Sequence, residues 1–287
     1  MYPAQFEYVA PETLDEAIKL LAESGGDAKI LAGGHSLLPA MKLRLAQPAK
    51  IIDLRKVPGL NEIKVDANGT TIGAMVTHAD VARSPEIQRA LPALAEAASV
   101  VGDLQVRNRG TLGGSLAHAD PAGDPPAAFL ALDGSVVVKG PNGERTIPGT
   151  EFFVDILTTN LAEDEIATAV KFPVLAPGTG TAYVKFDHPA SHYALTGVAA
   201  AIKLGSDGNV ESVKVGVTGV GVKAYRATAV EEALVGKGAG AIADAASHAA
   251  DGIDCNDDIH ASADYRAHLA VVFTRRALQA AFERANG

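Results

Sequence analysis

The sequence predicts an α+β protein built of more than one packed unit, and three observations carry the prediction. A strand, helix, strand alternation opens the chain, helices mixed with a tight hairpin fill its middle, and a Pro/Gly-rich stretch near residue 177 separates these from long strands followed by helices. A length of 287 residues agrees, because single cores rarely grow past about 250–300 residues.

The elements follow in order. From Thr13 to Ser24, Leu14, Ala17, Ile18, Leu20 and Leu21 keep helical spacing; Thr13 and Glu16 form a capping box, and Gly25-Gly26 ends the run. β-rich runs flank it at Phe6 to Val9 and Ala28 to Ala32, and Ile51 to Leu54 follows the apolar segment Leu37 to Leu45. The implied order is strand, helix, strand, turn, short helix, strand, placed at residues 1–57. A second unit, 58–176, starts near Pro58-Gly59. In it, Thr70 to Ala74 reads as a strand, Pro85 to Val101 as one alanine-rich helix, and Pro125 to Leu132 as another helix. Ser135 to Lys139 and Arg145 to Ile147 read as strands around the turn Pro141-Asn142-Gly143.

Pro173 to Gly180 forbids regular structure, so a third unit, 177–287, is expected after it. Thr181 to Phe186, Ala194 to Leu204 and Val210 to Thr218 are its strands, the last two joined by Ser206-Asp207-Gly208-Asn209. Helices follow at Ala227 to Leu234, Ala241 to Ala250 and Tyr265 to Arg284.

Composition excludes several functions. With 47% hydrophobic and 21% charged residues the chain folds as an ordinary globular protein, and a net charge of −9 without any run of like charges argues against nucleic acid as a partner. Neither a basic, then apolar leader nor an 18-residue apolar run occurs, so a cytoplasmic protein is expected. Cys255 is the sole cysteine; it forms no internal disulfide and cannot supply the thiolate set of an iron–sulfur cluster, so any such cluster must sit on a partner. Flanked by Asp254 and Asn256, it reads as structural.

Two glycine pairs carry the chemistry. In Ala32-Gly33-Gly34-His35-Ser36 a β-run stops at two glycines and passes into a helical segment near Leu37. Glycines let main-chain N–H groups converge on an anion without Cβ interference, the helix start adds positive dipole, and Ser36 offers a hydroxyl at an N-cap position. Taken alone, such a pair more often only reverses the chain. Thr111-Leu112-Gly113-Gly114-Ser115 repeats the pattern, and two such elements point to a large bis-phosphate ligand gripped from both sides. Neither turn is a P-loop or a G-x-G-x-x-G fingerprint. Gly219-Val220-Gly221 fits a looser fingerprint, but lacks the parallel strand that should follow its helix. His188 and His192 have metal-ligand spacing, yet Pro189 breaks the helix that spacing requires.

These turns, within a match covering essentially the whole chain, resemble the FAD-binding medium subunits of aerobic carbon monoxide dehydrogenases and their molybdenum hydroxylase relatives, including xanthine dehydrogenases. That family carries Ala-Gly-Gly-His-Ser and Thr-Ile-Gly-Gly-Asn or Ser. Leu112 replaces Ile conservatively, and Ser115 in place of Asn keeps a donor. The resemblance implies a two-lobed FAD-binding domain, an N-terminal α/β lobe plus a mixed α+β lobe, followed by a C-terminal antiparallel three-stranded sheet covered by helices. It implies FAD contacts from Leu31, Ala32, Gly33, Gly34, His35, Ser36 and Leu37, and from Gly102, Val106, Gly110, Thr111, Gly113, Gly114 and Ser115. Asp124 matches an acid on the flavin's sugar-alcohol or ribose region, although it equally suits a helix N-cap before Pro125. Lys185 matches a flavin-contacting lysine, Tyr193 a tyrosine near the isoalloxazine ring, and Ile166 a lining of the same cavity; an exposed strand lysine, a half-buried tyrosine and plain core are the ordinary alternatives.

No residue of this chain is expected to be catalytic or to bind metal. The resemblance implies a large partner with a molybdenum–pterin cofactor, a small partner with two iron–sulfur clusters, and a dimer of heterotrimers. FAD would collect electrons singly and pass a pair to quinone, oxygen or a nicotinamide, with the complex cytoplasmic or peripheral at the inner membrane face. Two other readings stay open: an independent FAD-dependent oxidase or dehydrogenase with its own substrate site, and a nonenzymatic nucleotide-binding module.

Overall fold

The computed structural model describes all 287 residues and folds them around three main sheets and a two-stranded ribbon. The first sheet comes from β1 (Glu7–Val9), α1 (Leu14–Glu23), β2 (Ala28–Leu31), α2 (Leu37–Lys42) and β3 (Lys50–Asp53), with parallel strands in the order β1-β3-β2. Thr13 Oγ1 accepts from the Glu16 N–H at 3.2 Å, while the Glu16 carboxylate turns back to the N–H of Glu12 instead of Thr13. The apolar face of α1, Ala17, Ile18 and Leu21, shares a core with Ala28, Ile52 and Leu54.

The middle of the chain runs β4 (Ile63–Asp66), β5 (Gly69–Gly73), α3 (His78–Arg83), α4 (Pro85–Ala90), α5 (Pro92–Ser99), α6 (Leu104–Arg107), α7 (Leu112–His118) and α8 (Pro125–Ala131). It continues through β6 (Ser135–Gly140), β7 (Gly143–Pro148), α9 (Gly149–Phe152), β8 (Phe153–Asp155), β9 (Thr158–Thr159) and β10 (Ile166–Phe172). Five of its seven strands form an antiparallel sheet in the order β4-β5-β10-β6-β7, and β8 and β9 form the ribbon. The single helix expected over 85–101 is two. Leu91 stands at φ −140°, ψ 61°, because the ring of Pro92 keeps the preceding residue out of the helical region. Phe129 anchors this core, meeting Phe152, Phe153 and Phe172 edge to face at centroid distances of 6.1, 5.9 and 6.1 Å.

The last part holds β11 (Thr179–Asp187), β12 (Ala194–Leu204), β13 (Val210–Thr218) and β14 (Tyr225–Arg226), then α10 (Thr228–Leu234), α11 (Ile242–Ala246) and α12 (Ala263–Ala285). The expected three-stranded antiparallel sheet has a short fourth member, β14, whose two residues pair with Gly216 and Val217. The sheet is covered on both faces. Ala199 and Ala201 join the core of the middle region, whereas Val198, Ala200 and Ile202 join the core under α12. Glycines allow this approach: a Cβ on Gly216 would lie 2.1 Å from the Ala127 carbonyl oxygen of α8, and one on Gly180 2.1 Å from that of Ala281 in α12. No helix is long and apolar enough to cross a membrane.

Candidate functional site

The two glycine turns meet in space. A Cβ on Gly33 would fall 2.1 Å from the Arg109 carbonyl oxygen and 2.7 Å from Gly110 Cα, and one on Gly114 would lie 3.4 Å from Ala32 Cβ. The turn after β2 thus rests against the segment that leads into α7, and Gly34 continues it at φ +76°, a left-handed conformation that suits glycine. No acceptor within the chain is paired with the main-chain N–H groups of Gly33, Gly34, His35, Ser36 or Leu37. The Ser36 side chain makes no cap bond, because Ser36 itself has helical φ and ψ, and His35 is exposed. A row of unpaired amides in a half-buried turn is a cradle for an anionic group such as a phosphate.

The second turn is built differently. Its amides are engaged: Leu112 donates to Val76 O at 2.9 Å, Gly113 to Ala74 O at 3.0 Å, Gly114 to Thr111 Oγ1 at 3.1 Å and Ser115 to Thr111 O at 2.9 Å. Its glycines serve contact, since a Cβ on Gly113 would meet Ala74 Cβ at 2.4 Å. The expectation of two equivalent amide cradles is therefore corrected to one cradle facing one close-packed wall. The Ser115 hydroxyl, half-buried and without a partner in the chain, is the polar group that wall presents.

Residues 100–110 link the turns to the rest of the site. Gly102 takes φ +46°, Asp103 caps α6 through the Val106 N–H at 2.8 Å, and Arg107 Nη1 donates to the carbonyls of Val101 and Gly102, each at 3.0 Å. Gly110 lies against the buried imidazole of His78, whose Nδ1 has no partner. Burial pulls the His78 pKa down to about 4, and the Arg107 charge acts the same way.

At the far end, Asp124 is only 3% exposed. Its Oδ1 accepts from the Tyr183 hydroxyl at 2.6 Å and its Oδ2 from Lys185 Nζ at 3.0 Å. Burial pushes the Asp124 carboxyl up to about 6, against the opposing effects of Lys185 and Tyr183. Burial and the neighbouring Asp124 also hold the Tyr183 hydroxyl well above its ordinary value. Lys185 reaches the carbonyls of Val100 at 3.0 Å and His192 at 2.5 Å, and Tyr193, 46% exposed, follows His192.

Leu31 and Leu37 flank the cradle inside the small core with Met41 and Ile51. Ile166 is 2% exposed, and its side chain packs with Ala17, Ile18, Ile52 and Leu60, the surroundings of a core residue. Asp124 makes no side-chain cap bond to α8, and its carboxylate turns to β11 instead. Tyr183 escaped the sequence reading, although Tyr183 and Lys185 alternate onto one face of β11, the face toward Asp124. The looser fingerprint is a packing junction: Gly219 stands at φ +85°, and a Cβ there would meet the carbonyls of Ala194 and Leu195, each at 2.7 Å. His188 Nδ1 accepts from the N–H groups of Ala190 and Ser191, each at 3.2 Å, and His192 Nδ1 pairs with Asp187 at 3.1 Å. Cys255 is half-buried, and burial raises its thiol pKa.

Comparison with known proteins assigns this arrangement. The family described as "FAD binding domain in molybdopterin dehydrogenase" matches residues 4–175, and "CO dehydrogenase flavoprotein C-terminal domain" matches residues 181–281. The chain is 41% identical to the carbon monoxide dehydrogenase medium chain of Hydrogenophaga pseudoflava over 99% of both chains. It is 38% identical to the 6-hydroxypseudooxynicotine dehydrogenase complex subunit alpha of Paenarthrobacter nicotinovorans, covering 99% of this chain and 97% of that one. A solved carbon monoxide dehydrogenase structure from Hydrogenophaga pseudoflava superimposes with a TM-score of 0.96 at 43% identity, again over 99% of each chain. The chain belongs to the FAD-binding medium subunits of the molybdenum hydroxylases, oxidoreductases that place their flavin on this subunit and work with large and small partner chains.

Proposed function

We propose that FAD lies along the seam between the first two units, with its pyrophosphate on the amides of Gly33 to Leu37. The single observation that carries this is the unpaired amide row, packed through Gly33 against the Arg109–Gly110 step. Gly113, Gly114 and Ser115 close the opposite side, Gly102, Val106 and Gly110 shape the edge, and Tyr193 stands at the flavin end. Thr111 keeps the wall in register by capping α7. The bound flavin supplies the redox chemistry, taking electrons one at a time and releasing them as a pair. The chain's own residues bind and orient it: amide dipoles balance the diphosphate charge, and the apposed turns restrict solvent on both sides.

The chain then acts as an electron-transfer subunit between a partner's iron–sulfur clusters and an external acceptor, quinone, oxygen or a nicotinamide. Its lone cysteine supports placing the clusters on the small partner, with the molybdenum–pterin cofactor on the large one, in a dimer of heterotrimers. The complex is assigned to the cytoplasm or the inner membrane face. The chain is divided into units 1–57, 58–176 and 177–287, a reading that the separate sheets support. The substrate pocket belongs to the large partner. Relatives of similar identity are named for carbon monoxide and for 6-hydroxypseudooxynicotine, so the match of this subunit does not select between such substrates. Gly34→Val and Gly114→Val test the site: each is expected to yield folded protein without visible flavin absorbance, and FAD retained in both would overturn the assignment.

A further inference from the structure

β12 is irregular where it meets the end of β11. The two strands pair evenly as far as Phe186 opposite Thr196, but Asp187 then stands opposite Ala194, so Leu195 is an extra residue without a counterpart, a β-bulge. The packing carries the same mark. Val198, Ala200 and Ile202 turn to the core under α12, and strict alternation would send Leu195 to the opposite face, yet Leu195 packs into that same core. Bulges bend a strand and re-aim it, commonly beside active sites. This one is gripped by Arg266, a residue of α12 that is only 4% exposed.

Arg266 Nη1 donates to the carbonyls of Leu195 at 3.1 Å and Gly219 at 2.6 Å, and Nη2 donates to Asp258 Oδ2 at 2.7 Å. Gly219 follows β13 at φ +85°, and a Cβ on it would lie 2.7 Å from the carbonyl oxygens of both Ala194 and Leu195, so turn and bulge nest on each other. The donors of this nest point to the loop that leads into Asp124. The Gly219 N–H reaches Pro121 O at 2.7 Å and the Ala194 N–H reaches Ala122 O at 3.1 Å. Thr218 Oγ1 reaches Pro121 O and Gly123 O at 2.8 and 2.9 Å. Three consecutive carbonyls before Asp124 are therefore held from the bulge and the turn that Arg266 joins, and Tyr193 is the residue directly before Ala194.

We infer that Arg266 is a positioning residue for the flavin end of the site: its guanidinium locks the Leu195 bulge to Gly219, and the locked pair sets the backbone of 121–123 and the entry to β12 at Tyr193. The purpose of the lock rests on the FAD reading above; its existence does not. The task suits a guanidinium, whose separate Nη groups serve two carbonyls and a carboxylate at once, where a lysine ammonium is a single point of charge. Without the guanidinium the Gly219 carbonyl has no other donor in the chain, whereas Leu195 O keeps the Thr196 hydroxyl at 2.8 Å.

The test is hydrogen–deuterium exchange on the complete complex and on its flavin-free form, with the rate of FAD release measured alongside. Arg266→Lys is expected to speed exchange about tenfold at the amides of Ala122, Gly123, Ala194 and Gly219, the scale of one lost hydrogen bond to a charged group, and FAD release by a similar factor. Exchange at residues 199–202 in β12 should stay as in wild type. Asp258→Asn, which loosens the guanidinium without removing it, should move the same four amides by a smaller factor. Thr218→Val, which removes the hydroxyl on Pro121 and Gly123 and leaves the Arg266 contacts in place, should reproduce the faster exchange at Ala122 and Gly123 and the faster release. Unaltered exchange at all four amides in Arg266→Lys, or in Asp258→Asn where the lysine variant does not assemble, would overturn the lock. Acceleration spread equally over residues 199–202 would make Arg266 a general stabiliser and overturn it as well. Faster FAD release in Thr218→Val with Arg266→Lys like wild type would show that something else holds the loop, which also contradicts the inference. Wild-type protein that takes up no FAD would instead sink the parent reading, and exchange on the flavin-free chains would still decide the lock.

Discussion

Asp124 and His78 titrate in the same pH range with opposite consequences for stability. Burial raises the folded-state pKa of Asp124 from 3.8 to about 6, so its contribution is fully present below about pH 4 and is lost as pH rises through about 6. Burial lowers His78 from 6.5 to about 4, so its contribution is present above about pH 6.5 and is lost as pH falls through about 4. Wild-type unfolding alone mixes the two; single variants separate them. The stability of wild type minus that of Asp124→Asn should fall by on the order of 2 kcal/mol between pH 4 and pH 6.5, and wild type minus His78→Asn should rise over the same range. Denaturant unfolding at several pH values reads both, and two flat differences would show that neither group is buried as described. At this scale the sequence was informative where chemistry is local. Gly33-Gly34 announces a close approach, but which turn keeps free amides depends on Val76 and Ala74, partners that spacing cannot reveal.

Among the elements, the long ones were legible and the short ones were not. β12 and β13 occupy Ala194–Leu204 and Val210–Thr218 as their apolar runs and the Asp207-Gly208 turn predict, because a strand of this length buried on both faces leaves a continuous apolar signature. β4, α3, α6 and β14 span only two to six residues, too few to register a period. α3 and α6 depend on caps, Thr77 and Asp103, which a scan for periodicity does not see. α8 illustrates an element whose role is tertiary: all of its residues are buried, with Phe129 facing three other phenylalanine rings and the sheet glycine Gly216 pressed on its backbone. Phe129→Ala should therefore cost roughly 3–5 kcal/mol in denaturant unfolding, the range for a truncated core aromatic. A loss below about 1 kcal/mol would mean that this cluster does not anchor the middle region.

On the scale of the whole molecule, the third sheet is held between α12 and the helices of the middle region. Glu96 of α5 receives the Tyr183 N–H at 2.8 Å and pairs with Arg284 of α12 at 2.7 Å, so helix, sheet and helix are tied at one point. The same face of β11 turns Tyr183 and Lys185 to Asp124, so the flavin site proposed between the first two units also involves the third. The division of labour was legible from a count: one cysteine leaves iron–sulfur chemistry to another chain. The partners' identities were not, since nothing in a subunit that handles electrons records what the large partner oxidises. The most direct test of the central claim is cofactor analysis of the assembly purified through a tag on this chain, before and after its subunits are separated. The account predicts one FAD per copy of this chain, remaining with it on separation, while molybdenum and iron leave with two co-purifying chains. A tagged chain that lacks FAD, or that comes alone and carries a flavin reduced by an organic substrate, would contradict it.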